Sequence, residues 1–183
     1  MRSPRTLIRA ALTAPLMLTA ILLAGAAPSH AAVVDGTCVA SITLNFSPPA
    51  TEPLPPSPGP ASTATGNGTI TACVVTDGGA TTGTFTYQLQ GNLTCTSSQN
   101  VTGTLDIDWA DGSRSHATVT SLLINLGSVG GTAGLSATIT TGRFTGDMIT
   151  IANLRDPLAL IACLTTGLAQ ATGITSLTFT QPL

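Results

Sequence analysis

The chain contains no lysine, and charged side chains of both signs make up only 8% of its residues. Its basic residues are six arginines and two histidines, and the arginines form no cluster beyond the N-terminus. A nucleic-acid-binding protein needs a basic patch that neutralises phosphates. The composition therefore predicts no nucleic-acid partner.

No apolar run is long enough to cross a membrane. The run nearest the N-terminus, Leu16–Ala27, is shorter than the roughly 20 residues of a membrane-spanning helix. Arginines precede it, and the small residues Ser29 and Ala31 follow it at the positions that a signal peptidase reads. The pattern predicts a cleaved signal peptide over residues 1–31, a secreted mature chain of residues 32–183, and no membrane-spanning segment.

Removal of that segment makes the chain acidic and leaves it one histidine. Three arginines remain against eight acidic residues, which is a formal charge of −5. About 152 residues suit a single domain with an ordinary core. Because His116 is the only remaining imidazole and no G-x-S-x-G or C-x-x-C motif occurs, neither a serine hydrolase nor a zinc site is favoured.

Alternation of apolar and polar residues dominates the mature sequence, which predicts an all-β fold. About nine strands are expected, at 38–46, 69–76, 82–90, 93–97, 101–109, 113–126, 133–142, 144–153 and 171–181. Short connections between them favour antiparallel hairpins. Helix is expected only near 156–166, and the proline-rich stretch 47–60 is expected to form an exposed loop.

Strands of this kind form either a closed barrel or two packed sheets, and we expect a single antiparallel β-barrel. The alternative is an immunoglobulin-like sandwich, because Cys95, Trp109 and Cys163 have the order of the core cysteines and tryptophan of that fold. Ile161 occupies the position at which that fold carries a tyrosine, and this favours the barrel.

Four cysteines in an oxidising compartment predict two disulfides, for which three connectivities exist. In a closed barrel the first and last strands are neighbours. Cys38 would then lie near Cys163, just before the final strand, and Cys73 would be left with Cys95. We therefore expect the pairs Cys38–Cys163 and Cys73–Cys95.

Residues 104–116 have the pattern of a β-hairpin with ionisable side chains on its outer face. A three-residue loop at 110–112 keeps the faces of both strands in phase. It pairs each outward aspartate with a basic residue on the next strand: Asp108 with Arg114, and Asp106 with His116. The simplest interpretation is two exposed cross-strand ion pairs that fix the register.

Two chemical alternatives use the same side chains. Asp106 and Asp108 lie about 7 Å apart on one strand face, and with His116 they would form the acid and base groups of an extracellular hydrolase. Asp106, Asp108 and Asp111 also approximate a calcium loop, although their spacing departs from D-x-D-x-D-G by one residue. A solvated strand does not raise a carboxyl pKa, so we expect no catalytic site, metal or cofactor.

Short motifs along the mature chain resemble those of one group of proteins. They are LNFSPP from Leu44, IDWADGSRS from Ile107, TTGRFTGD from Thr140, DPLALIACLTTGL from Asp156 and GITSLTF from Gly173. With them the chain resembles the small secreted β-proteins of high-GC Gram-positive bacteria, which are usually described as hypothetical exported proteins. The resemblance implies export and a β-rich fold, and it brings no activity or site residue with it.

We therefore expect a secreted, non-catalytic β-domain that binds an extracellular partner or small ligand, or that has a cell-surface role. A wide apolar interior would favour a lipocalin-like carrier. A ligand-carrier function is excluded if side chains fill the interior, and the candidates for this are Ile42, Leu44, Phe85, Leu105, Trp109 and Phe179. An outer-membrane pore also alternates along its strands, but it needs an apolar outer band, and here threonine occupies one face of most strands.

Overall fold

Alternating sequences form strands because an extended chain places every second side chain on the same face. The computed structural model describes residues 32–51, 61–95, 97–125, 132–152, 161–163 and 165–182. All of them belong to one compact unit, Ala31–Leu183. The strands are β1 (Val33–Ala50), β2 (Ala61–Val75), β3 (Gly83–Leu93), β4 (Ser98–Trp109), β5 (Arg114–Asn125), β6 (Thr132–Gly142), β7 (Met148–Ala152) and β8 (Leu168–Gln181).

These eight strands form one closed antiparallel barrel, in which each strand pairs with the next and β8 pairs with β1. The predicted barrel is confirmed. The immunoglobulin-like alternative is wrong, because the sheet closes on itself instead of dividing into two. We call the end with the turns at 76–82, 110–113 and 143–147 the turn end of the barrel.

Some predicted strand limits differ from those observed. The predicted strand at 93–97 is wrong beyond Leu93, the last residue of β3. Thr94 and Ser97 instead face each other, because Ser97 N donates to Thr94 Oγ1 and Thr94 N donates to Ser97 O, both at 2.9 Å. β7 is shorter than the predicted run 144–153, since Phe144 and Gly146 adopt positive φ and belong to the preceding turn. Residues 161–163 are helical, within the predicted helical region. The predicted signal peptide lies outside the described residues.

The proline-rich stretch is in part a strand, which corrects the prediction of a loop from residue 47. β1 continues to Ala50, and Ser47 pairs with Thr63 of β2. Pairing between β1 and β8 is interrupted between Asn45 and Ala50. The prolines in this interval lack a backbone N–H group, but no β1–β8 hydrogen bond is lost because the strands are not paired there. Residues 52–60 lie outside the described part of the chain.

The disulfides join Cys38 to Cys73 and Cys95 to Cys163, so the predicted pairs Cys38–Cys163 and Cys73–Cys95 are wrong. β8 is the neighbour of β1 but runs antiparallel to it. The residues before β8 therefore lie beside the end of β1, where both sulfurs of the Cys95–Cys163 bridge approach the Ala50 carbonyl oxygen at 3.6 and 3.7 Å. On the other side of β1, Cys73 lies opposite Cys38, with 4.0 Å between their Cα atoms.

Glycines on β2 make room inside the barrel for the aromatic rings of β3. Gly66 is paired with Tyr87, and Gly68 with Phe85. A Cβ atom added at either glycine would overlap the ring beside it. The Tyr87 hydroxyl crosses β2 and donates to the Thr43 carbonyl oxygen of β1 at 2.5 Å. Burial raises the pKa of Tyr87, so the hydroxyl keeps its proton.

Candidate functional site

The β4–β5 hairpin has the predicted loop and register. Gly112 adopts the left-handed region (φ 84°), and Trp109 N donates to Ser113 O at 2.9 Å across the three-residue loop. This loop produces the two predicted cross-strand pairs: Asp108 with Arg114, and Asp106 with His116. Trp109 is buried, whereas both aspartates are exposed, so the predicted faces are confirmed as well.

Both pairs make direct side-chain contacts on the solvent-facing side of the hairpin. Arg114 Nε lies 2.7 Å from Asp108 Oδ1, and His116 Nδ1 lies 2.6 Å from Asp106 Oδ1. The four side chains are between 42% and 83% exposed. Solvent at this exposure screens most of the Coulomb attraction, so the pairs fix register more than they stabilise the barrel.

We expect the Asp108–Arg114 pair to contribute little to stability. In a double-mutant cycle with Asp108→Ala and Arg114→Ala, the coupling free energy should be below about 1 kcal/mol, because both side chains are exposed. Urea unfolding of the four proteins measures it. A coupling of about 2 kcal/mol or more would mean that the pair is desolvated in solution.

The same side chains line an outer depression of about 390 Å³, together with Thr86 and Thr141. Asp106 bonds His116 Nδ1 in the way that orients a catalytic imidazole. The pair lies in solvent, however, and not in the water-excluded site that strengthens electrostatic catalysis. Asp106 can therefore hold the His116 imidazole in one orientation, but a substrate bound here would stay in contact with water.

Asp111 is turned away from the arrangement that a calcium loop requires. Its Oδ1 accepts hydrogen bonds from Ser113 N at 2.9 Å and from Ser113 Oγ at 2.6 Å. Both bonds lower the pKa of Asp111, and the bond from Ser113 Oγ has the larger effect. Within the described ranges, no group of three or more His, Cys, Asp or Glu side chains could hold a metal ion, so Asp106, Asp108 and Asp111 do not form one.

Sequence analysis missed a buried arginine at the turn end. The Arg143 side chain is 9% exposed and binds both oxygens of Asp77, through Nε and Nη2, at 2.6 Å each. Its guanidinium also donates to Ala80 O at 2.8 Å and lies 4.4 Å from the Trp109 ring centroid and 4.6 Å from that of Phe144. Arg143 therefore joins the β2–β3 turn to the aromatic cluster that closes this end.

A hydrogen-bond chain continues from that cluster into the wall of the barrel. Trp109 Nε1 donates to Ser115 Oγ at 3.0 Å, and Ser115 Oγ donates to Arg143 O at 2.7 Å. The bonds from Arg143 hold the pKa of Asp77 at about 2, below its usual 3.8. Every polar group of this network is satisfied within the network, so it serves as a structural cap.

A second missed feature is a pair of carboxyl groups at the same end. Asp147 is 3% exposed, and its Oδ2 has no hydrogen-bond partner. The side chains of Asp147 and Asp35 are hydrogen-bonded to each other. Burial, and then the neighbouring Asp35 charge, raise the pKa of Asp147.

The described interior is filled by side chains. Six residues would exclude a carried ligand if they filled the interior, and all six are buried: Ile42, Leu44, Phe85, Leu105, Trp109 and Phe179. A cavity of about 30 Å³ remains between aliphatic side chains such as those of Leu89, Leu122 and Leu135. Sites for drug-sized ligands measure roughly 300–1,000 Å³, so this part of the interior has no room for one.

The outer surface has two unlike sides. Among the described residues, six of the eight exposed large apolar side chains belong to β1, β2, β7 and β8: Val33, Val34, Val39, Val74, Met148 and Ile174. We call the outer face of these four strands the apolar side. Asp35 is their only charged residue, and it bonds Asp147. The outer face of β4 and β5, with its two ion pairs, is the charged side.

The centre of the apolar side follows from strand register. Val39 is paired with Ala72 of β2 and with Ser176 of β8. Val74 and Ile174 come two residues from these partners, at diagonal positions on the same face, roughly 7–8 Å from Val39. The three side chains are 49% (Val39), 82% (Val74) and 71% (Ile174) exposed. They form an apolar group in contact with water.

The described part of the chain contains no helix that is long and apolar enough to cross a membrane. No protein-family model, curated protein or solved structure matches the chain. The function is therefore argued from the geometry of the barrel and its surface.

Proposed function

We propose that this protein is a secreted, non-catalytic barrel that binds an extracellular protein partner through its apolar side. The observation that carries the proposal is the group formed by Val39, Val74 and Ile174 on strands whose only charged residue is Asp35. Association removes such side chains from water, and exposed apolar patches therefore mark protein interfaces. A rigid sheet presents them without an ordering cost.

Secretion is supported by the predicted signal peptide together with the disulfides. Both bridges join residues of the described barrel, and no described cysteine is free. Disulfides of this kind persist in oxidising compartments. The partner is therefore sought outside the cell, and the mature chain is taken to begin at Ala32.

Binding to a protein surface is favoured over the other activities considered. The described interior lacks space for a small ligand, which argues against carriage. The hydrolase that would use Asp106, Asp108 and His116 is the alternative function, and the Asp106–His116 bond is the observation in its favour. The exposure of these side chains to solvent disfavours it. If His116→Ala hydrolysed a test substrate as fast as the wild type does, the alternative would be removed.

The proposal predicts that two substitutions on the apolar side weaken binding. Threonine suits exposed strands, so Val74→Thr/Ile174→Thr should fold while losing apolar contact area. We expect the washed cell envelope of the producing organism to retain the mature protein, and the double variant to bind at least about tenfold more weakly. Co-sedimentation of labelled protein with the envelope measures both.

Thr84→Ser/Thr86→Ser is the matched control, because both threonines are exposed on β3. It should bind as the wild type does. Equal binding by all three proteins would place the interface elsewhere, and the absence of binding by the wild type would contradict an envelope partner. A dimer that Val74→Thr/Ile174→Thr dissociates would instead identify a second copy of the chain as the occupant.

A further inference from the structure

We propose that Asp35 and Asp147 form a binding site for a hard divalent cation, with calcium as the best match, at the turn end of the barrel. Asp147 is almost completely buried, and one of its carboxyl oxygens has no partner. A buried carboxylate oxygen in this state is costly, because it has lost its water without gaining another interaction. A ligand that restores the lost interaction would stabilise the fold.

The fold brings the two side chains together from distant positions. Thr180 of β8 is paired with Met148 on one side and with Val34 on the other. Asp147 and Asp35, which are the sequence neighbours of those partners, therefore flank the same end of β8. The β1–β8 register is irregular between Val34 and Gly36, which is the position of Asp35. Such bulges re-aim a side chain, and here the carboxyl reaches Asp147.

No cationic side chain is available to compensate the pair. Arg143 lies on the same turn as Asp147, but its guanidinium is committed to Asp77. Among the described groups, Asp35 is the charged residue that acts on Asp147. The hydrogen bond between the two carboxyl groups requires one shared proton, and ionisation of both groups away from water would be costly. A divalent cation carries the charge that neutralises both.

The donor atoms select the class of cation. Both carboxylates supply oxygen. The Thr76 hydroxyl, which donates a hydrogen bond to Asp35 Oδ1 at 3.2 Å, is a further oxygen beside them. Oxygen donors without imidazole or thiolate suit calcium or magnesium and disfavour zinc or copper. Calcium accepts irregular and bidentate carboxylate geometry, whereas magnesium demands a near-ideal octahedron. Water would complete the coordination.

The test is thermal unfolding of the mature protein at neutral pH in three solutions: EDTA, about 10 mM calcium chloride, and sodium chloride at matched ionic strength. An extracellular calcium site of ordinary affinity should raise Tm by about 3–10 °C. Sodium chloride controls for simple screening of the two carboxylates and should leave Tm near its value in EDTA. Calorimetric titration with calcium chloride should report one site.

Asp147→Asn keeps the shape of the side chain and removes one of the two charges. It should be at least as stable as the wild type in EDTA and should not respond to calcium. Asp108→Asn changes an exposed aspartate on the charged side and should respond as the wild type does. Equal Tm in calcium and sodium for the wild type, a calcium response retained by Asp147→Asn, or a calorimetric titration without heat would each overturn the proposal.

Discussion

Replacement of Gly66 by alanine is expected to lower the free energy of unfolding by about 3 kcal/mol or more. The new Cβ would lie 2.5 Å from Tyr87 Cζ and closer still to the Tyr87 hydroxyl and the Thr43 carbonyl oxygen. Either β2 or the ring must move. Displacement of the ring also breaks the Tyr87–Thr43 hydrogen bond, which leaves a polar atom unpaired inside the barrel.

Gly134→Ala is the matched control for this substitution. Gly134 also lies on a strand. Among the described residues, its added Cβ would meet only the Ile151 carbonyl oxygen, at the ordinary contact distance of 3.6 Å. Its effect should stay below about 1 kcal/mol. Urea unfolding measures both variants, and equal stability of Gly66→Ala and Gly134→Ala would contradict the described packing of Tyr87 over β2.

The second large effect is expected for Arg143→Met, which should lower the free energy of unfolding by about 3 kcal/mol. The substitution leaves Asp77 without its ionic partner and removes the cation that lies over the Trp109 and Phe144 rings. Arg114→Met is the matched control, because Arg114 is 83% exposed and its pair with Asp108 is screened. Its effect should be about 1 kcal/mol or less. Similar losses for both variants would contradict the capping role of Arg143.

Acid unfolding provides a second readout of the same pair. The pKa of Asp77 is about 2 in the folded protein, below its usual 3.8. Because the folded value is the lower one, the pair stabilises the protein above pH 3.8, and this contribution is lost as the pH falls through about 2. Asp77 is partly exposed, so the effect should be only about 1 kcal/mol. Asp77→Asn should lack this part of the acid dependence.

The hairpin that carries the charged side could be predicted in detail because all of its determinants are local. Alternation assigns Asp106 and Asp108 to the outer face, and a three-residue loop ending in Gly112 permits one in-phase register. Both salt bridges follow from that register. The closed antiparallel barrel could be predicted for a similar reason, since short connections join neighbouring strands.

The disulfide pairing could not be obtained in this way. It depends on the direction of β8 relative to β1 and on the side of β1 that β2 occupies. Adjacency of the first and last strands was predicted, but adjacency alone does not show which ends meet. Cys163 lies beside the end of β1, and Cys38 therefore pairs with Cys73 across the β1–β2 ladder.

The two polar features of the turn end escaped prediction because their members are far apart in sequence. Arg143 and Asp77 are separated by 66 residues and meet only when the barrel closes. Alternation counted back from Cys38 would place Asp35 on the outer face. A single irregularity between Val34 and Gly36 interrupts this alternation at Asp35, and such a bulge leaves no periodic signal.

The central claim is that the protein binds its partner through the apolar side, with a filled interior and a solvated charged side. Methyl-resolved NMR of the mature protein, titrated with a detergent-solubilised cell-envelope fraction, tests it most directly. Line broadening is expected at Val34, Val39, Val74, Met148 and Ile174, with the buried methyl groups of Ile42 and Leu44 unaffected. Broadening centred on those buried methyl groups, or on residues around His116, would contradict the claim.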